Sequence, residues 1–166
     1  SSSGNSSGGT TVETPSKLTE TDLLKQGYQL KWQDNFDGVF LNRADWNVEL
    51  HEKGWVNSEW QEYVDSDKNI QVKDGKLLIK PVETVNADGT RSYTSGRINT
   101  QGKHDFKYGY FECRAKVPTG KGYLPAFWMM PTDENLYGQW PKCGEIDIME
   151  VMGQETNKAY GTIHYG

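Results

Sequence analysis

Glu145-Ile146-Asp147-Ile148-Met149-Glu150-Val151 reads as a strand that carries three acids. How its side chains divide between two faces governs the reading of the whole chain. In a regular strand successive side chains alternate, so Glu145 and Asp147 share one face while Ile146 and Ile148 enter the core. The next position on the acidic face is Met149, and Glu150 falls one residue out of step. A single-residue β-bulge at Ile148-Met149 restores the alternation and puts Glu145, Asp147 and Glu150 in one row. Three ionised carboxylates side by side repel one another, so one is expected to keep its proton with a raised pKa. Hydrolysis of a glycosidic bond needs such a set, with one carboxylate at the sugar carbon and one carboxylic acid at the leaving oxygen. Strand rise sets the outer two backbones ~13 Å apart, and inward-leaning Glu side chains can narrow this to the ~5–5.5 Å of a retaining pair. Spacing alone leaves two other readings open, a solvated strand face and a calcium site built from oxygen ligands.

The segments before the acids also have strand length. Pro125 to Met130 (PAFWMM) is a fully apolar strand. Tyr108 to Val117 (YGYFECRAKV) alternates, with Phe111, Cys113, Ala115 and Val117 on the face suited to a core. Further back, Asn69-Ile70-Gln71-Val72 and Lys76-Leu77-Leu78-Ile79 flank Asp74-Gly75, a hairpin turn signal, and Asp88-Gly89 marks another turn. Gln29-Leu30-Lys31-Trp32 is a further strand candidate, and Thr19 to Gln26 can form one or two helical turns, with Thr19 as N-cap, Asp22 three residues on and Gly27 as stop. Short, frequent strands separated by Gly and Pro, with no long helical period, predict an all-β antiparallel sandwich. Residues 1–16, SSSGNSSGGTTVETPS, hold almost nothing that can be buried and read as a Ser/Gly/Thr-rich linker, leaving 17–166 as the folded domain.

Composition narrows the partners. The 166 residues carry a formal net charge of -5, which argues against nucleic-acid binding because no cationic surplus exists to displace counterions from phosphates. No apolar run approaches the ~20 residues of a membrane span. Aromatic residues make up 12% of the chain, a density that serves a sandwich core or a surface that stacks on sugar rings. Asp65-Ser66-Asp67-Lys68-Asn69 starts like a calcium loop, but Ile70 stands where Gly is needed and Lys76 where the last carboxylate is needed. His51, His104 and His164 are too scattered for a zinc site, and Gly120-Lys121-Gly122 is a turn rather than a phosphate loop. Cys113 and Cys143 can pair in an oxidising compartment, although the core-facing place of Cys113 favours two buried free thiols.

Gly144 to Glu150 resembles the active-site signature of glycoside hydrolase family 16 in its bulged, laminarinase-like form. Other blocks follow in order. Trp32-Gln33-Asp34-Asn35-Phe36-Asp37-Gly38 is similar to the family's opening Trp-x-Asp-Glu-Phe-x-Gly, with Asn35 for Glu. Asn57-Ser58-Glu59-Trp60-Gln61-Glu62-Tyr63 resembles its Asn-x-Glu-x-Gln-x-Tyr stretch, and Ser95-Gly96-Arg97 its Ser-Gly-Arg. Leu124 to Pro131 resembles Trp-Pro-Ala-Phe-Trp-Met-x-Pro, with Leu124 for the first Trp, and Thr162 and His164 fit the Thr-x-His beyond the acids.

The resemblance implies a jelly-roll sandwich with a substrate cleft on its concave face. It implies Glu145 as nucleophile, Glu150 as general acid/base and Asp147 as the residue that tunes the nucleophile. Trp128 and Trp140 would line sugar subsites, with Asn57, Arg97 and His164 as polar contacts; for Trp128 a core role, and for His164 a structural hydrogen bond, stand beside these. It further implies a secreted endo-β-1,3-glucanase acting on laminarin-like β-glucan, with no cofactor for catalysis. Family members often carry a structural calcium, whose ligands the sequence does not identify. The alternatives are a mixed-linkage glucanase, a galactan hydrolase or transglycosylase with the same acids, and a non-catalytic carbohydrate-binding sandwich. Set against the family, the chain is expected to stop one strand past the acids, short of the last strands, and to be joined to other modules through its linker.

Overall fold

The computed structural model describes residues 17–166; the linker expected over residues 1–16 lies outside the described residues. The chain divides into two units, one running to Lys31 and the other Trp32–Gly166. In the first, helix α1 (Glu20–Lys25) has the expected N-cap: Thr19 accepts from the Asp22 N–H, and the Asp22 carboxylate accepts from the Thr19 N–H at 2.9 Å. Two backbone donors at the start of the helix are thereby satisfied reciprocally. Gly27 takes a φ of +87° just past the end. Gln29-Leu30-Lys31-Trp32 forms no ladder, in contrast to its expected strand.

The second unit is built from ten short strands among the described residues: β1 (Asn47–Val48), β2 (Gln61–Tyr63), β3 (Ile70–Lys73), β4 (Lys76–Ile79), β5 (Val82–Val85), β6 (Arg91–Ser95), β7 (Ile98–Asn99), β8 (Ala126–Met129), β9 (Glu145–Glu150) and β10 (Tyr160–His164). The Asp74-Gly75 hairpin forms as expected, with β3 antiparallel to β4 from Lys73 opposite Lys76 to Ile70 opposite Ile79. Asp74 and Gly75 have φ of 54° and 67°, the left-handed pair that matches the strand twist in a two-residue turn. The Asp88-Gly89 turn joins β5 to β6, again antiparallel.

Two features depart from the sequence reading. Strand β2 runs parallel to β6, Gln61 opposite Tyr93; the β3–β4 hairpin and β5 lie between them in the chain and form the long crossover that a parallel pair requires. Tyr108 to Val117 enters no ladder, and Cys113, expected on a core face, is exposed while Cys143 is buried, both as free thiols. Alternation supplies a strand with two faces; it does not supply the neighbour whose backbone must pair with it.

The core of this unit centres on Leu41, Ile70 and Val72, with Phe36, Trp46, Val48, Leu77 and Ile98 packed around them. Asn69, 1% exposed, donates from Nδ2 to the Lys80 carbonyl at 2.9 Å and to Thr94 Oγ1 at 3.0 Å, locking the hairpin to β6. Gly96 abuts Ile70 so closely that a Cβ would sit 2.5 Å from Ile70 Cγ1. The core thus fixes the backbone just before Arg97, whose carbonyl accepts the Glu49 N–H at 2.8 Å. The Trp32-x-Asp34 block is structural: Asp34 accepts the Trp46 indole N–H at 2.8 Å, and Trp32 stacks on His104 at 4.5 Å.

Candidate active site

The acids lie on β9, the middle strand of a three-stranded antiparallel sheet between β8 and β10. The expected bulge is present and is visible from both neighbours. On one side Phe127 faces Met149 while Trp128 faces Asp147, so Ile148 has no partner. On the other, Tyr160 faces Glu150 and Thr162 faces Asp147, two residues against three. Removing one residue from the alternation brings Glu150 back to the face of Glu145 and Asp147. Ile146 and Ile148, expected in a core, are instead 47% and 37% exposed, because no described residue fully covers the opposite face of this sheet.

Asp147 is the buried centre of the row, 3% exposed. His164, directly opposite Glu145 on β10, donates from Nε2 to Asp147 Oδ2 at 2.8 Å. Trp140, exposed on the loop before β9, donates its indole N–H to Glu145 Oε2 at 2.8 Å, and its ring lies 5.5 Å from that of His164. Burial first, and then a hydrogen bond and negative charge from Asp147, push the Glu145 carboxyl above the usual carboxylate range, while the Trp140 bond pulls it down. Burial and the charge of Asp147 push Glu150 up as well, with no such donor to offset them. Of the two outer acids only Glu145 has a described N–H donor, the kind of asymmetry that assigns base and acid roles.

The expected polar contacts divide. Trp128 is partly buried, faces Asp147 across the sheet, and lies under the Arg97 guanidinium, whose central carbon is 4.6 Å from the indole centroid. Arg97 itself is tied to Glu49, with Nε donating to Oε2 at 2.9 Å. Asn57 occupies an exposed turn with φ 52°, and no described hydrogen bond ties it to the acids. His164 makes the structural hydrogen bond that stood as the alternative to substrate contact. One atom each of Glu145, Asp147 and His164 lies within 4.8 Å of the others, a set able to approach a cation. Three donors fall short of the six to eight oxygens that calcium takes.

The model of glycosyl hydrolases family 16 matches residues 55–166, most of the chain and all of the acid sheet. The chain belongs to glycosyl hydrolases family 16. Within this family it is 44% identical to glucan endo-1,3-beta-glucosidase A1 of Niallia circulans over 161 residues, 89% of this chain and 24% of that protein. It is 45% identical to a glucan endo-1,3-beta-glucosidase of Cryptopygus antarcticus, over 82% of this chain and 51% of that one. The catalytic domain of an endo-1,3-beta-glucanase (laminarinase) from Thermotoga petrophila superposes with a TM-score of 0.73 at 41% identity, covering 83% of this chain and 57% of that domain. The chain thus spans about half or less of the length of the curated relatives it matches. With this likeness the family 16 fold is the all-β antiparallel sandwich expected from the sequence, the β2–β6 pair excepted.

Glu49, which holds the expected contact residue Arg97, was not singled out by the sequence reading. Glu49 directly follows a two-residue strand, with Glu52 three residues on, and no spacing distinguishes it from an ordinary surface acid. Trp55, an exposed aromatic directly after Gly54 whose ring centroid lies 5.0 Å from the Arg97 guanidinium carbon, was the one available signal.

Proposed function

We propose that this chain carries the catalytic acids of a retaining, endo-acting β-glucanase that cleaves β-1,3 linkages of laminarin-like glucan. The observation that carries the reading is the Trp140 N–H on Glu145, which separates two otherwise similar raised carboxyls. Glu145, with its negative charge stabilised by that donor, attacks the anomeric carbon. As the glycosidic C–O bond breaks, the leaving oxygen takes the proton of Glu150. Glu150, now ionised, removes a proton from water; the water oxygen attacks the same carbon and releases Glu145 as carboxylate, so two inversions give net retention. Asp147, held by His164, sits between the two acids and couples their protonation.

The exposed ring of Trp140 offers an apolar surface to a pyranose C–H face beside the acids, while partly buried Trp128 carries the Arg97 guanidinium. Similarity to two glucan endo-1,3-beta-glucosidases supports the β-1,3 linkage and the endo mode. The residues that perform the chemistry are all side chains of this chain, so the reaction requires no cofactor. We infer a secreted protein from the substrate class alone, since a polymeric glucan does not cross a membrane unaided.

The test is hydrolysis of laminarin, lichenan and agar with the products followed by NMR. Release of β-configured reducing ends from laminarin is expected, reduced on the order of 10²–10⁴-fold in Glu150→Gln and by at least as much in Glu145→Gln. Binding of laminarin with no reducing ends released, or full activity in Glu145→Gln, would overturn the reading.

A further inference from the structure

The surroundings of Arg97 are built to a standard that a solvent-facing arginine does not need. Its guanidinium carbon lies 4.6 Å from the Trp128 centroid, 5.0 Å from that of Trp55 and 5.7 Å from that of Tyr63. Cation–π attraction favours each of these placements, but none of them fixes which nitrogen points where. Glu49 does. It accepts from Arg97 Nε at 2.9 Å with Oε2, and its Oε1 lies 3.1 Å from His51 Nε2. His51 in turn stacks on Trp55 with centroids 3.4 Å apart and planes within 6°. The side chains of Glu49 and Arg97 are 19% and 20% exposed, so this ion pair is largely shielded from water. Burial alone would raise the Glu49 carboxyl, yet the bonds from His51 and Arg97 and the arginine charge together hold it below the usual range.

The bond through Nε matters chemically. A carboxylate that pairs with the two terminal nitrogens of a guanidinium consumes its outward donors, whereas one that takes Nε leaves both terminal amino groups outside that bond. The ring beneath them, Trp128, is the cross-strand neighbour of Asp147. Glu49 is thereby connected to the acid row through Arg97 and Trp128, with no described hydrogen bond of its own to the acids.

We propose that Glu49 is a positioning residue for the substrate site: braced by His51, it orients Arg97 against Trp128 and Trp55 so that the terminal N–H donors meet hydroxyls of a glucose unit bound next to the acids. The assignment rests on the β-glucanase reading above.

A double-mutant cycle on laminarin hydrolysis tests it, using Glu49→Ala, Arg97→Ala and the pair, with Kd for a laminarin-derived hexasaccharide measured alongside. Glu49→Ala is expected to raise KM about tenfold with kcat changed far less, the signature of lost binding shared by ground and transition states. Glu49→Gln, whose amide oxygen can still accept from Nε, should recover most of that loss. In the Arg97→Ala background Glu49→Ala should add nothing. An unchanged KM and Kd in Glu49→Ala, or effects that simply add, would overturn the proposal. If Glu49→Ala does not fold, Glu49→Gln takes its place in the cycle, and additivity there is equally decisive. Absence of turnover in the unmutated protein defeats the glucanase reading instead, and Kd then reads the role of Glu49 by itself.

Discussion

His164 Nε2 donates to Asp147 Oδ2 at 2.8 Å, joining the strand after the acids to the most buried carboxylate of the row. Asp147 is flanked by two further acids, so an imidazole donor is what makes its burial tolerable. Substituting His164 by Ala leaves that carboxylate without its nitrogen partner. A loss of about 1–3 kcal/mol is expected, read by denaturant unfolding, together with a fall in kcat. A variant of unchanged stability and turnover would show that His164 is dispensable to Asp147.

Trp140 should set the acid limb of the pH–rate profile. Its indole N–H favours the ionised form of Glu145. Trp140→Phe keeps an aromatic face and removes the donor, so the Glu145 pKa rises further. Activity that needs ionised Glu145 is then gained only at higher pH, and the acid limb of kcat/KM shifts upward. The loss relative to the parent should be greater at acidic than at neutral pH.

Glu150 carries a stability signature of opposite habit to an ordinary surface acid. Its carboxyl binds a proton more tightly in the folded chain than in the unfolded one, because burial and Asp147 oppose its ionisation. The stability this contributes is present at low pH and is lost as pH rises through the folded-state pKa. Glu150→Gln removes the ionisation, so it should raise Tm at neutral pH while the difference fades under acidic conditions. Thermal melts across that range check the sign.

The β3–β4 hairpin offers a test remote from the acids. Gly75 has a φ of 67°, and an added Cβ would meet nothing nearer than Asp37 Oδ1 at 3.9 Å. Gly75→Ala therefore suffers from backbone conformation alone, about 1–2 kcal/mol. Asp74→Asn, which tolerates the same left-handed region, should be close to neutral. Equilibrium unfolding distinguishes the two, and KM should stay unchanged in both.

Much of the site could be read from local order. Alternation with one residue out of step is a property of seven consecutive side chains, so the bulge and the shared face of Glu145, Asp147 and Glu150 were legible before any contact was known. The same holds for the Asp74-Gly75 hairpin and for the cap at Thr19, where a handful of neighbouring residues contains the whole physical cause.

Partners distant in the chain were decided only by the tertiary structure. Arg97 meets Glu49, 48 residues away, and Asp147 meets His164, 17 away, through strand pairings that no local period encodes. The Tyr108 to Val117 segment alternates yet finds no ladder, and Ile146 and Ile148 point to a face the described residues leave partly open. A sequence states which side of a strand each residue takes, because that follows from backbone geometry. What stands on that side depends on which other segments arrive there, and arrival is settled by the fold as a whole.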